Sequence, residues 1–226
     1  MTILVQLLVV ILGASILSFL VMGMSQWLRM RHLARFAHEA GMRFFATDAF
    51  DVPHRYGALS VMHGGHSPAA HNVVFGRRQG LPLRIFDFRY EVGHGTRRST
   101  RRYLLAVVEL ERSCRPVLMW NTVDSETCPL AAQAQERLVG CWSCKGDDAA
   151  SAVMAELMSP LASQGVSLEA GGGLLALHLP NSRRTRHVAA LMDMAIAAAG
   201  VLQGRQSDQL AGRALEQAGA NGAIQS

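Results

Sequence analysis

The chain has 226 residues, of which 50% are apolar and 17% are charged, and its formal net charge is +5. This composition excludes an intrinsically disordered chain, because disordered chains contain too few apolar residues to form a core. A mild positive balance without a recognisable basic module also argues against nucleic-acid binding.

The first feature along the chain is an uncharged segment, in which an apolar run extends from Ile3 to Met24. A helix of about 22 residues rises about 33 Å, enough to cross a hydrocarbon core of about 30 Å. Trp27 follows at the depth of the lipid headgroups. A cleaved signal peptide is the alternative, but signal peptides have a basic start and a shorter apolar stretch. We therefore predict a transmembrane anchor over residues 1–25 that contacts the bilayer through residues 3–24.

Positive charge lies on one side of this anchor, because no basic side chain precedes it. Arg29, Arg31, Arg35 and Arg43 follow it. Basic residues that flank a span are retained in the cytoplasm. The sequence therefore predicts a single-pass protein with its N-terminus outside and its C-terminal domain in the cytoplasm.

Beyond the anchor, apolar residues at helical spacing predict a juxtamembrane helix over residues 26–42, with Gly41 as its C-terminal cap. Residues 43–70 contain several prolines and glycines and are predicted to be irregular. Segments rich in β-branched and aromatic residues then predict strands joined by short glycine turns, which favours an antiparallel meander. The predicted strands are His71–Arg77, Leu81–Val92, Ser99–Leu110, Val117–Trp120 and Arg137–Trp142.

The last third of the domain is predicted to alternate helices and strands. Asp147 or Asp148 is placed to cap a helix over about residues 149–163. Gly171–Gly173 is predicted to form the turn of a hairpin, and a last helix begins at Ser182.

These elements define an α+β fold, in which an N-terminal transmembrane helix is followed by an antiparallel sheet with packed helices. The soluble α+β domain is expected to span residues 43–203. Residues 204–226 are weakly patterned and are predicted to form a mobile tail.

Part of the strand region resembles a known group of proteins. It consists of Asn72-Val-Val-Phe-Gly76, Gly80-Leu-Pro82 and Phe86-Asp87-Phe-Arg-Tyr90, followed by a basic turn and an apolar strand. It is similar to uncharacterised bacterial membrane-anchored proteins with N-V-x-x-G, G-x-P and F-D-Y-x-Y motifs, although Phe88 stands where Tyr is expected. The resemblance covers residues 25–200. It implies a domain of unknown function, with no catalytic residues to carry over. For a bacterial protein with a cytoplasmic domain, the expected location is the inner, or cytoplasmic, membrane.

Two groups of residues are candidate metal or redox sites. Cys141 and Cys144 have the spacing of a redox disulfide or of half a zinc site. His63, His66 and His71 are close enough in sequence to gather around a metal. The alternatives are incidental thiols at a strand end and solvated loop histidines.

A third candidate is a basic hairpin, whose arginines are Arg97, Arg98, Arg101 and Arg102. On a membrane-tethered domain they are candidates for contact with anionic inner-leaflet lipid or with a protein partner. The alternative is a solvated turn.

No catalytic, nucleotide-binding or metalloprotease motif occurs in the sequence. We therefore predict a non-enzymatic, cytoplasmic-facing binding or adaptor module without a cofactor. The alternative is a metal-binding or thiol-redox protein that uses Cys141 and Cys144 or the three histidines, and an enzyme of unrecognised type is a third.

Overall fold

The computed structural model describes residues 2–123, 137–180 and 185–204. Its fold confirms the predicted α+β class, because a long apolar helix precedes an antiparallel sheet with packed helices. The helices are α1 (Thr2–Glu39), α2 (Val52–Arg55), α3 (Asp148–Met158) and α4 (Thr185–Leu202). The strands are β1 (Arg43–Thr47), β2 (His66–Arg78), β3 (Leu81–Val92), β4 (Ser99–Asn121), β5 (Arg137–Val139), β6 (Trp142–Gly146) and β7 (Ser167–Pro180).

Helix α1 is one unbroken helix of 38 residues, and its apolar part extends away from the domain. The helix has a mean hydropathy of 2.6 in its most apolar window, none of which is buried, so length and composition suffice to cross a membrane. Helix α4 passes the same test with a mean hydropathy of 1.3, but it packs on the sheet through Val188, Leu191 and Ala195. Helix α1 therefore has the length and composition of a membrane anchor, whereas α4 belongs to the core.

The C-terminal end of α1 matches the prediction at Gly41. This glycine has a φ of 68°, in the left-handed region, and Met42 N–H donates to the Ala37 carbonyl over 2.7 Å. Glycine adopts this conformation without steric cost, and the hydrogen bond satisfies one of the last carbonyls of the helix. The chain turns here directly into β1.

In the described residues the sheet has seven antiparallel strands built around β4. Strands β1, β2, β3 and β4 form a meander, in which β1 was not predicted. One edge of β4 pairs first with β3 and then with β6, which in turn pairs with β5. The other edge pairs with β7 along most of the length of both strands. Strand β4 therefore links the two halves of the sheet.

Strand β4 bends back on itself. The ring centroids of Tyr103 and Trp120 lie 6.4 Å apart, whereas an extended strand between these residues would span roughly 55 Å. The register between β4 and β7 shifts between Glu109 and Val117, which indicates bulges, and bulges bend strands. The bend brings the two ends of β4 into contact.

The sequence prediction was wrong at this bend. Gly171–Gly173 is not a hairpin turn, because β7 continues through it and stays paired with β4, with Gly172 opposite Cys114. Gly172 has a φ of 60°, so it supplies the conformation that the corner requires. The two strands predicted on either side of residues 111–116 are likewise one strand, β4.

Two other strand predictions were wrong. Residues 43–70 are not irregular throughout, because they contain edge strand β1, helix α2 and the beginning of β2 at His66. Residues 137–142 are not one strand, because Gly140, with a φ of 59°, lies in a turn between β5 and β6. Strand β3 has the predicted bounds, and Asp147 caps α3 by accepting from Ala150 N–H. The predicted cap at Ser182 and the tail from residue 205 lie outside the described residues.

Each face of the sheet has its own apolar core. One face is covered by the end of α1 and by α3 and α4. The other face is covered by the segment between β1 and β2, which contributes Val52, Tyr56, Leu59, Val61 and Met62. The aromatic residues of β3 and β4 lie in this second core.

His178, on β7, is a fully buried polar residue in the second core. Its ring packs against Trp120 at 5.4 Å, and neither ring nitrogen has a hydrogen-bond partner among the described residues. Burial disfavours the charged imidazolium and lowers the pKa of His178 to about 3. The folded protein therefore holds this histidine neutral.

We expect this histidine to make the fold acid-sensitive. Below pH ~6.5 the unfolded chain takes up a proton that the folded chain does not, so stability is full above pH ~6.5 and falls as the pH drops towards 3. The expected loss is about 2 kcal/mol at pH 5. Urea unfolding of the detergent-solubilised protein at pH 7.5 and pH 5 measures it, and His178→Leu should lose about 2 kcal/mol less between these two pH values. Equal losses in both proteins would contradict the assignment.

Candidate functional site

A cleft of about 490 Å³ lies where α1 leaves the sheet. Ser25, Gln26, Arg29 and Met30 of α1 line one side of it. The sheet forms the other side through β1, β2, β3 and β4, and most of the sheet residues that line it are polar or charged. The cleft therefore lies between α1 and the face of the sheet that α1, α3 and α4 cover, which we call the first face.

An ion pair fastens α1 to the sheet inside this cleft. Asp87 of β3 accepts from both Nε and Nη2 of Arg29, with an Nε–Oδ2 distance of 2.7 Å. The side chains are 12% and 25% exposed, so the pair is largely shielded from solvent. A bidentate arginine–carboxylate pair fixes both position and orientation. It therefore restrains α1 on the sheet just beyond its apolar part.

Asn72 of β2 completes this network. Its Nδ2 donates to Asp87 Oδ2 over 2.8 Å. Asn72 has a φ of 54° and lies where the register between β2 and β3 shifts. Asparagine tolerates this left-handed conformation better than most residues. The bulge therefore directs the Asn72 amide towards the carboxylate.

Several residues of the sequence motifs thus have a structural role. Asn72 and Asp87 bind each other and Arg29. A side chain at Gly76 would lie 3.0 Å from Met42, so this glycine lets the end of α1 pack on β2. Gly80 has a φ of 83° in the turn between β2 and β3. These residues therefore specify how the anchor meets the sheet.

Two arginines line the cleft beside this ion pair. Arg89 of β3 and Arg102 of β4 are directly opposite each other in the strand register, and both are exposed. Neither forms a side-chain hydrogen bond or ion pair within the described residues. Sequence analysis did not identify Arg89 or Arg29 as site residues. Strand alternation would have placed Arg89 on the same face as Asp87, but only the fold brings Arg29 to it.

The predicted basic hairpin does not form one surface. Arg102 lines the cleft, whereas Arg101 is opposite Tyr90 and on the other face of β4. Arg98 pairs with Glu91, and Arg97 is exposed in the short helical turn between β3 and β4. Of the four predicted arginines, the cleft therefore includes one.

The structure does not gather the predicted histidines. His63 contacts the Gly57 carbonyl through Nε2 at 2.6 Å, and the ring of His66 lies 4.8 Å from that of His94. His71 lines the cleft. Within residues 2–123, 137–180 and 185–204, no group of three or more histidine, cysteine or acidic side chains is arranged to hold a metal ion.

The two predicted cysteines have different surroundings. Cys141 is half-buried in the turn between β5 and β6, and Cys144 is buried on β6. Burial raises the pKa of the Cys144 thiol, which disfavours the reactive thiolate.

A second polar network, which sequence analysis missed, lies on the opposite face of the sheet. Glu109 accepts from Tyr56 Oη over 2.9 Å and from Arg55 Nη2 over 3.0 Å, and it pairs with Arg84. Burial alone would raise the pKa of Glu109, but these hydrogen bonds and the charge of Arg84 outweigh it and lower the pKa. Burial raises the pKa of Tyr56 to about 12, so it stays a hydrogen-bond donor. The network fastens α2 to the sheet.

The fold and the cleft together define an α+β protein with an N-terminal helix that fits a membrane anchor. Among solved structures, the chain is similar to the crystal structure of the mycobacterial trehalose monomycolate transport factor A, TtfA. The TM-score is 0.50 at 13% identity, over 76% of this chain and 90% of the TtfA chain. At this identity the similarity shows a shared fold. No family model and no curated protein matches the chain.

We expect the ion pair to contribute measurable stability. In a double-mutant cycle, Arg29→Met and Asp87→Asn should show a coupling energy of about 1–3 kcal/mol, because each single change leaves a partly buried charge unpaired. Urea unfolding in detergent, followed by tryptophan fluorescence, measures this energy. The control cycle combines Arg31→Met with Asp87→Asn, because Arg31 lies over the Trp27 ring, 4.1 Å from its centroid, rather than beside Asp87. A coupling energy no larger than that of the control would contradict the assigned pair.

Proposed function

We propose that this protein is a membrane-tethered, non-enzymatic adaptor that presents its sheet to a protein partner beside the bilayer. The observation that carries this proposal is the attachment of the domain to its anchor. Helix α1 passes without a break from its apolar part into the domain, where Arg29 binds Asp87. A flexible linker would let the domain rotate freely, whereas this attachment favours a fixed orientation.

Edge strand β1 is the surface we assign to the partner. Within the described residues it pairs with β2 alone, so its outer edge has free backbone groups. Phe45 of β1 is 42% exposed and stacks on Phe75 at 5.4 Å, and Phe50 packs against Phe75 at 4.7 Å. An exposed edge strand beside an aromatic cluster is a template for the addition of a partner strand.

The shared fold with TtfA is consistent with this role. TtfA is described as a trehalose monomycolate transport factor. By analogy, we infer that the partner of this chain is a membrane protein or a protein recruited to the membrane.

We further propose that the domain lies on the cytoplasmic side of the bacterial inner membrane. Support comes from the arginines after the apolar run, beginning with Arg29 and Arg31.

Partner capture tests the adaptor proposal. The tagged full-length protein, purified from its native host in mild detergent, should retain a stoichiometric protein that mass spectrometry identifies. Phe45→Glu should reduce that protein at least tenfold, because a charge would be placed within the strand interface. The matched control is Val153→Glu, since Val153 on α3 is 38% exposed.

Two outcomes would contradict the proposal. Recovery of the protein alone would argue against an adaptor. A partner that both variants retain equally would argue against β1 as its surface, provided that the two variants melt at similar temperatures.

Reporter fusions test the orientation. Green fluorescent protein fused after the domain should fluoresce, and alkaline phosphatase at the same position should be inactive, because that enzyme needs an oxidising compartment for its disulfides. Alkaline phosphatase fused before Ile3 is the control and should be active. The reverse pattern would show that the domain lies outside the cytoplasm.

A further inference from the structure

We infer that the cleft beside α1 binds the phosphate of an anionic phospholipid headgroup, held by Arg89 and Arg102. The inference requires the membrane tether of the proposed function but not its protein partner. Ala46 of β1 lines the cleft, whereas the neighbouring Phe45 belongs to the aromatic cluster assigned to the partner. Because strand residues alternate between faces, the two binding surfaces are distinct.

The first argument is electrostatic. Arg89 and Arg102 are directly opposite each other on adjacent strands, and like charges in such a pair repel. Among the described residues that line the cleft, Asp87 is the one carboxylate, and Arg29 and Asn72 already bind it. The two guanidinium groups therefore lack an anion that would balance them. A phosphate between them removes the repulsion and accepts hydrogen bonds from both.

The second argument is depth along the membrane helix. Ser25 and Gln26 line the cleft and directly follow Met24, the last residue of the apolar run. Trp27, which is 47% exposed, lies beside them, and tryptophan is favoured at the membrane interface. The opening of the cleft is therefore at the level of the lipid phosphates.

The third argument is direction. Helix α1 lies along the sheet from Arg29, beside Asp87, towards Met42, which follows the end of the helix and lies beside Gly76. Gly76 is paired with Leu83, so the helix follows β3 from residue 87 back towards residue 83. Its apolar part consequently leaves the sheet at the end that contains Arg89. The two arginines therefore lie at the end of the sheet that is nearest the bilayer.

The cleft also offers room and an apolar wall for the rest of a headgroup. Its volume of about 490 Å³ is within the usual range for small-molecule sites. Met30 of α1 and Ala46 of β1 line it beside the charged groups. A glycerol phosphate can enter while its acyl chains remain among the lipids around α1.

Lipid titration of the full-length protein tests this inference. Detergent-solubilised protein is mixed with phosphatidylglycerol or phosphatidylcholine, and bound lipid is counted by native mass spectrometry. Wild-type protein should prefer phosphatidylglycerol, and Arg89→Gln/Arg102→Gln should bind it roughly 10- to 30-fold more weakly, as expected for two cations at an anionic surface. The control is Arg78→Gln/Arg112→Gln, which removes two exposed arginines that do not line the cleft. It should bind like the wild type.

The cleft variant should fold normally, because it replaces exposed residues and relieves a repulsion, so its melting temperature should be unchanged or higher. Equal binding of the two lipids, or an equal loss in both variants, would overturn the inference. Displacement of the lipid by inorganic phosphate that itself binds through Arg89 would assign the cleft to free phosphate instead. Partner capture through Phe45 is measured separately, so either proposal can fail without the other.

Discussion

The double-sided pairing of β4 positions the rest of the domain. Its first half is hydrogen-bonded to β3 on one edge and to β7 on the other, and its second half is bonded to β6 and β7. Because β4 and β7 bend together at their bulges, Trp120 returns to contact Tyr103 and His178. The second core is enclosed by this bend, and the first face of the same strands supports α4 and the end of α1.

The charged side chains beside α1 form two groups with different roles. Asp87 and Arg29 neutralise each other and determine how the anchor meets the sheet. Arg89 lies two residues beyond Asp87 on β3, and Arg102 is opposite it on β4, yet these two arginines contribute repulsion instead of stability. Replacing either arginine would remove this repulsion, so a protein that needed only an anchored domain would be more stable without one of them. The contrast between a balanced pair and an unbalanced pair in one cleft is the main reason to regard the cleft as a binding site.

Local chemistry made part of this structure predictable from the sequence. The turn glycine at Gly80 and the cap at Gly41 depend on neighbouring residues, so the bounds of β3 and the position of this cap were correct. The corner at Gly171–Gly173 depends on the distant pairing with β4, and a triple glycine alone is equally compatible with a hairpin turn. The cleft was beyond prediction for the same reason. Arg29 meets Asp87 only after the helix, a bulge and three strands are in place.

Because α1 is one continuous helix, a change in its tilt is transmitted to the whole domain. A transmembrane helix changes its tilt when the thickness of the hydrocarbon layer changes. No loop separates the apolar part of α1 from Arg29, so a tilt inside the bilayer turns the whole sheet through the same angle. On the proposed anchoring of α1, a thin membrane makes the sheet lean towards the lipid surface, and a matching one leaves it upright. The distance between β1 and the bilayer then depends on lipid composition as well as on the protein.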